Sequence, residues 1–151
     1  MSRLIRTNSN HPDFKKLVIE LDNDLRSRYK ELQDVYDQYN AVPDLPTVVL
    51  VYENDIAIGC GCFKPFDETS VEIKRMFVSE IKRGTGVASF IIHELETWAK
   101  ELGFTHAVLE TGDKQFEAIR FYKREGYVVT ENYGQYIGMS TSICMKKNLS
   151  S

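Results

Sequence analysis

No run in this chain approaches the roughly 18 consecutive apolar residues of a membrane-spanning helix, and the opening MSRLIRTNSN has no hydrophobic signal core. Cysteine is scarce. Cys60, Cys62 and Cys144 are odd in number, and two of them sit as C-x-C in an apolar run, so they do not form a disulfide framework. No finger-like spacing of four ligands is present either, and no metal site is expected. Buried, reduced thiols in a cytoplasmic protein fit this usage. Excess positive charge is also missing. Lys and Arg number 19 against 22 Asp and Glu, for a net charge of −3. That balance argues against non-specific binding to nucleic acid or to an anionic membrane. Prolines are few, and no repeat, linker or low-complexity tract interrupts the chain.

What remains is an ordinary soluble composition, 42% hydrophobic and 27% charged over 151 residues. A chain of this length is expected to form one domain (1–151) and buries about two-thirds of its unfolded surface without a metal or disulfide. Residues 3–6 read as a short strand. Ser9 or Asn10 is placed to cap a helix over about 12–29, with Phe14, Leu17, Val18, Leu21 and Leu25 at helical spacing. A second helix is expected over about 31–39, before the prolines at 43 and 46. Three β-rich runs follow, Thr47–Glu53, Ile56–Phe66 and Ser70–Val78, joined by short polar turns, which predicts an antiparallel meander. A helix over about 86–102 carries the stripe Val87, Ile91, Leu95, Trp98 and Leu102. A strand at His106–Thr111 comes next. A helix at Gln115–Glu125 has Phe116, Ile119 and Tyr122 on one face, and strands at 127–130 and 141–147 end the series. The fold class is α/β with a mixed, mostly antiparallel sheet.

The most informative stretch is EIKRMFVSEIKRGTGVA, residues 72–88. A strand feeds a glycine-rich turn that opens a helix. Gly84 and Gly86 let the backbone turn tightly, and the first helical N–H groups lack partners, so the turn suits a diphosphate. Lys82 and Arg83 add positive charge. A P-loop would need Gly-Lys-Ser/Thr, and Gly86 is followed by Val87. Gly84-x-Gly86-x-x-Ser89 approaches a dinucleotide fingerprint, with Glu110 about twenty residues on. The charged SEIKR spacer, the serine in place of the third glycine, and the antiparallel lead-in all argue against that fold.

Arg83-x-x-Gly86-x-Ala88, preceded by Met76-x-Val78, resembles the acyl-CoA motif Gln/Arg-x-x-Gly-x-Gly/Ala of the GNAT N-acetyltransferase superfamily. Downstream, Gln115-x-x-Ala118-x-x-x-Tyr122-x-x-x-Gly126-Tyr127 is similar to that family's Asn-x-x-Ala-x-x-x-Tyr-x-x-x-Gly-Phe segment, with Gln115 replacing the usual Asn. The resemblance covers about residues 47–147. It implies helices on both faces of the sheet, and direct attack of a primary amine on the acetyl-CoA thioester.

The resemblance further implies that acetyl-CoA is held by Arg83, Gly84, Thr85, Gly86, Val87 and Ala88 at the diphosphate. Met76, Phe77 and Val78 would lie along the pantetheine, with Gln115, Ala118 and Tyr122 on the downstream helix. A backbone N–H near Met76 or Phe77 would face the thioester carbonyl. Tyr122 is the candidate general acid, because its hydroxyl arrives protonated; periodicity alone reads it as an apolar-face aromatic. Glu72 is the candidate base, with Glu110 or water as competitors. Strand alternation places Glu72, Lys74 and Met76 on one face. The demand on a base depends on the acceptor. At pH 7 an α-amine is roughly 10% neutral, whereas a lysine amine is below about 0.1% neutral.

Acceptor binding is expected from Arg28 and Arg75, which suit a carboxylate, and from Tyr133 and Tyr136 before the last strand. Solvated charges and packing aromatics are the plainer reading of those four. The expected acceptor is a small primary amine, amino-acid-like in one version. A protein N-terminus or lysine is the alternative acceptor, and a non-catalytic acyl-CoA sensor is the alternative function. Tyrosines near the last strand make a homodimer an option.

Overall fold

The computed structural model describes residues 2–28 and 44–149. The helix expected over 31–39 lies outside them, as does the side chain of Arg28. The elements are β1 (Ser2–Thr7), α1 (Pro12–Arg28), β2 (Val48–Glu53), β3 (Ile56–Pro65), β4 (Ser70–Val78), α2 (Val87–Glu101), β5 (His106–Gly112), α3 (Phe116–Arg124), β6 (Val128–Thr130) and β7 (Ser142–Asn148). Short 3₁₀ turns at Glu80–Lys82 and Gly134–Tyr136 precede α2 and β7. The seven strands form one sheet in the order β1-β2-β3-β4-β5-β7-β6. Every pairing is antiparallel except β4 with β5.

Both faces of the sheet are covered, so β2 is buried at every position from Val48 to Tyr52. Its odd-numbered residues Val49 and Val51 pack with Ile91, Ile92, Leu95 and Ala99 of α2. Its even-numbered residues Val48, Leu50 and Tyr52 pack with Phe14, Leu17 and Leu21 of α1. On β3 the same alternation sets Gly59 and Gly61 under α2 and Cys60 and Cys62 on the α1 side. A Cβ at Gly61 would meet Met76 Sδ at 2.6 Å and both Ile91 and Leu95 at 2.9 Å, so α2 sits this close because the strand offers no side chain there. All three cysteines are buried and free.

Three local expectations need correction. The cap of α1 is neither Ser9 nor Asn10: Asp13 donates its N–H to His11 Nδ1 at 3.1 Å, while Ser9 Oγ accepts the Leu45 N–H at 2.8 Å. Leu102 is 55% exposed just past the end of α2, where Ile92 and Ala99 complete the buried stripe instead. Phe116 is 62% exposed, because it occupies the first turn of α3 ahead of the part that packs, while Tyr122 is buried.

Candidate active site

The site begins with a fault in β4. Opposite Cys62 is Lys74, but opposite Cys60 is Phe77, so β4 has one residue more than β3 in this interval. The extra residue is accommodated at Arg75, which adopts a left-handed φ of 57°. A non-glycine residue is rare there and costs free energy that the surrounding packing must offset. The bulge breaks the expected alternation. Ile73, Met76 and Val78 pack on the α2 side, Phe77 packs on the α1 side, and Glu72 and Lys74 oppose Ile73 across the pleat. Glu72, Lys74 and Met76 therefore do not share a face.

Next to the bulge, β4 and β5 separate. Their parallel ladder covers only Ser70–Glu72 and His106–Val108. Beyond Glu72, the edge of β4 that faces β5 has no ladder partner. Two cavities open at this split and share Leu21, Met76, Gln115, Ala118 and Tyr122.

The larger cleft, about 650 Å³, runs between the 78–89 segment and α3. Gly84 and Gly86 have φ of 79° and 89°, and nothing lies within 4 Å of where their Cβ atoms would be. Gly86 caps α2 with no side-chain hydrogen bond, so the N–H groups of the first turn face the cleft without a side-chain acceptor. Together with the helix dipole, this makes an open anion cradle. The nearby charges are already engaged. Lys82 Nζ pairs with Glu53, and Arg83 Nε donates to the Val78 carbonyl at 2.9 Å, with its guanidinium over the Phe77 ring. Met76, Phe77, Val78, Arg83, Gly84, Gly86, Ala88, Gln115, Ala118 and Tyr122 all line this cleft. Val87 points into the core, and Thr85 Oγ1 donates to the Lys82 carbonyl; neither is among the residues that line the cleft.

The smaller cavity, about 110 Å³, lies on the α1 side and is lined by Glu72, Lys74, Arg75, Glu110, Tyr122 and Tyr136 among others. Glu72 is buried and accepts from Tyr133 Oη at 2.8 Å, with Lys64 Nζ at 3.7 Å and Lys74 Nζ at 4.0 Å. Arg75 is buried against Asp22 of α1, Nη1 to Oδ1 2.5 Å. Glu110 is different. Its Oε2 is buried with no hydrogen-bond partner among the described residues. Burial pushes its carboxyl up to about 7, opposed by a hydrogen bond from Ser142 and by the Lys74 charge. Burial also lowers the Lys74 ammonium, resisted by Glu72. Burial, with Glu110 nearby, raises Tyr122 well above the ordinary phenol value and keeps it protonated.

Among the described residues no group of three or more His, Cys, Asp or Glu could hold a metal ion. Sequence reasoning missed Lys74, and the clue was available: three ionisable side chains, Glu72, Lys74 and Arg75, interrupt a strand whose neighbours are apolar. It also missed Leu21, Leu25 and Asp22, because their approach to β4 is a tertiary fact.

Residues 14–127 match the family model described as the acetyltransferase (GNAT) family. IAA acetyltransferase of Azospirillum brasilense is 31% identical over 137 residues, covering 89% of each chain. The Xenopus tropicalis protein named "Probable N-acetyltransferase 14" is 36% identical over 104 residues, and the match spans 68% of this chain but half of that longer protein. A GNAT family acetyltransferase from Elizabethkingia anophelis, solved with acetyl-CoA bound, superposes with a TM-score of 0.69 at 19% identity, covering 97% of both chains. That similarity concerns the fold alone.

Proposed function

The chain belongs to the GNAT acetyltransferase family, acyltransferases whose donor is acetyl-CoA, and we propose that it acetylates the primary amine of a small, amino-acid-like molecule by direct attack on the thioester. The observation that carries this reading is the junction of the two cavities. Tyr122, a protonated hydroxyl, lines both of them, and Glu110, a buried carboxyl near 7, lines the smaller one beside it.

In this reading the amides of residues 83–88 cradle the diphosphate. The unladdered edge of β4 from Met76 to Val78 receives the pantetheine through backbone groups, and Gln115 and Ala118 flank it. A β4 amide beyond the bulge donates to the carbonyl oxygen where negative charge develops. The acceptor amine forms its C–N bond at the acetyl carbon as the C–S bond breaks. The leaving thiolate takes the Tyr122 proton, and the amine proton passes to Glu110.

Glu110 suits the base role better than Glu72. Its value near 7 lies close to neutrality, and its Oε2 has no partner among the described residues. Glu72 is already committed to Tyr133 and two lysines. Its role here is to fix Tyr133, and through it the loop carrying Tyr136, against the cavity. Lys74 and Arg75 line the same small space as Glu110, which favours an acceptor with a carboxylate near its amine. Each cation already faces a carboxylate, Glu72 at Lys74 and Asp22 at Arg75, so the acceptor's carboxylate joins these pairs rather than meeting a free cation. Arg28 lies on the last turn of α1, and its side chain is outside the described residues.

The test is thiol release from acetyl-CoA across a panel of amines, with the product identified by mass spectrometry. Turnover on amino acids, lost on their amides or decarboxylated amines, supports the reading. Binding of CoA without thiol release on any amine would replace it with an acyl-CoA sensor.

A further inference from the structure

The large cleft has a second cationic feature that the diphosphate cradle does not use. Arg120 and Arg124 stand one turn apart on α3 and both line it, with Phe121 between them and the guanidinium of Arg124 5.9 Å from the Phe121 ring centroid. Other arginines are engaged: Arg3 with Asp55, Arg6 with Glu94 and Glu101, Arg75 with Asp22, and Arg83 with a main-chain carbonyl. Arg120 and Arg124 have no carboxylate partner among the described residues. The two acidic side chains on the cleft, Asp24 and Glu117, have interactions of their own.

Position along the cleft matters as much as charge. The five residues shared with the smaller cavity mark the end where the thioester must lie. Arg120, Phe121 and Arg124 line only the larger cleft, as the glycine turn does. They therefore stand off the thioester end, in the part of the cleft left to the pantetheine and nucleotide of an acyl-CoA, and a pair of cations there suits the charged nucleotide rather than the neutral pantetheine. Coenzyme A carries two anionic groups at that end, the diphosphate and the ribose 3′-phosphate, and the backbone cradle accounts for one of them.

We propose that Arg120 and Arg124 form a phosphomonoester subsite that takes the 3′-phosphate of coenzyme A, so that the protein discriminates coenzyme A from its 3′-dephospho form. Arginine suits the task, because its planar fork meets phosphate oxygens in pairs and stays charged at any working pH. This inference rests on the acyl-CoA reading of the cleft.

The test is calorimetric binding of CoA and 3′-dephospho-CoA to the wild-type protein and to the Arg120→Gln/Arg124→Gln double variant. Wild type is expected to prefer CoA by about tenfold or more. The double variant is expected to bind both ligands with the wild-type affinity for 3′-dephospho-CoA, a result that also reports an intact fold. Equal affinity of the wild type for the two ligands would overturn the subsite. So would an equal loss on both ligands in the double variant, which would assign the arginines to a group that both share. If the wild type binds neither ligand, the acyl-CoA reading itself fails, and the subsite falls with it.

Discussion

The large cleft and the small cavity meet at five residues yet are built in opposite ways. The cleft offers mainly backbone: amides of a glycine turn, the start of a helix, and the free edge of a strand. The cavity offers side chains brought from α1, β4, β5 and the loop before β7, most of them buried and coupled to one another. A backbone site depends on a few glycines close together in sequence. A side-chain site depends on distant elements meeting in register. The first tolerates change in neighbouring side chains, whereas the second is sensitive to the loss of single groups.

The sharpest way to test that contrast is Glu110→Gln. Loss of a general base is expected to lower kcat/KM by about 100-fold or more, with CoA affinity unchanged. In the wild type, kcat/KM should rise with pH through about 7 as Glu110 loses its proton, and the variant should lose that limb. The same carboxyl affects stability. Its folded value, near 7, lies above the ordinary 4.5. Between those two values the folded state holds a proton that the unfolded chain has lost, so this group's contribution to stability falls as pH rises across that window. Glu110→Gln should flatten the slope in pH-dependent denaturant melts. A variant with wild-type rate and pH profile would return the base role to Glu72 or water.

Tyr122→Phe comes next. It should lower kcat tens-fold while leaving CoA affinity within about twofold, because the ring contact with Tyr127 survives. An unchanged kcat would remove Tyr122 from the acid role. Gly86→Val probes the other region. A β-branched residue at a φ of 89° is strained by about 1–3 kcal/mol, and its side chain would crowd the cradle. CoA affinity should fall about tenfold or more, and calorimetry would read it. Undiminished affinity would mean that the turn does not hold the diphosphate. Tyr133→Phe should have the smallest effect. It removes one hydrogen bond to Glu72 and should raise the acceptor KM several-fold, with the acetyl-CoA KM unmoved.

The same contrast explains what could be read from the sequence. The glycine turn, α2 and the QFEAIRFYKREGY segment are local patterns, and they supply most of the residues that line the cleft, with α1 and β4 supplying the rest. The antiparallel β2-β3-β4 meander was legible too, from the short polar turns that join its strands, whereas the full strand order was not. The cavity was not legible in the same way. The single extra residue at Arg75 reverses which side of the sheet Met76 faces, and no periodicity in EIKRMFV announces it. The proposal of Glu110 over Glu72 as base draws on the hydrogen bond that Glu72 accepts from Tyr133, 61 positions away. Arg120 and Arg124 were not singled out from the sequence; their place follows from α3 walling the cleft.

The central claim is that the main-chain N–H groups from Arg83 to Ala88 hold the diphosphate of coenzyme A. Backbone amide NMR during titration with CoA tests it most directly. The largest shifts should fall at Gly84, Thr85, Gly86, Val87 and Ala88, with β1 and the β2–β3 turn still. Saturating CoA that leaves those five signals in place would contradict the claim.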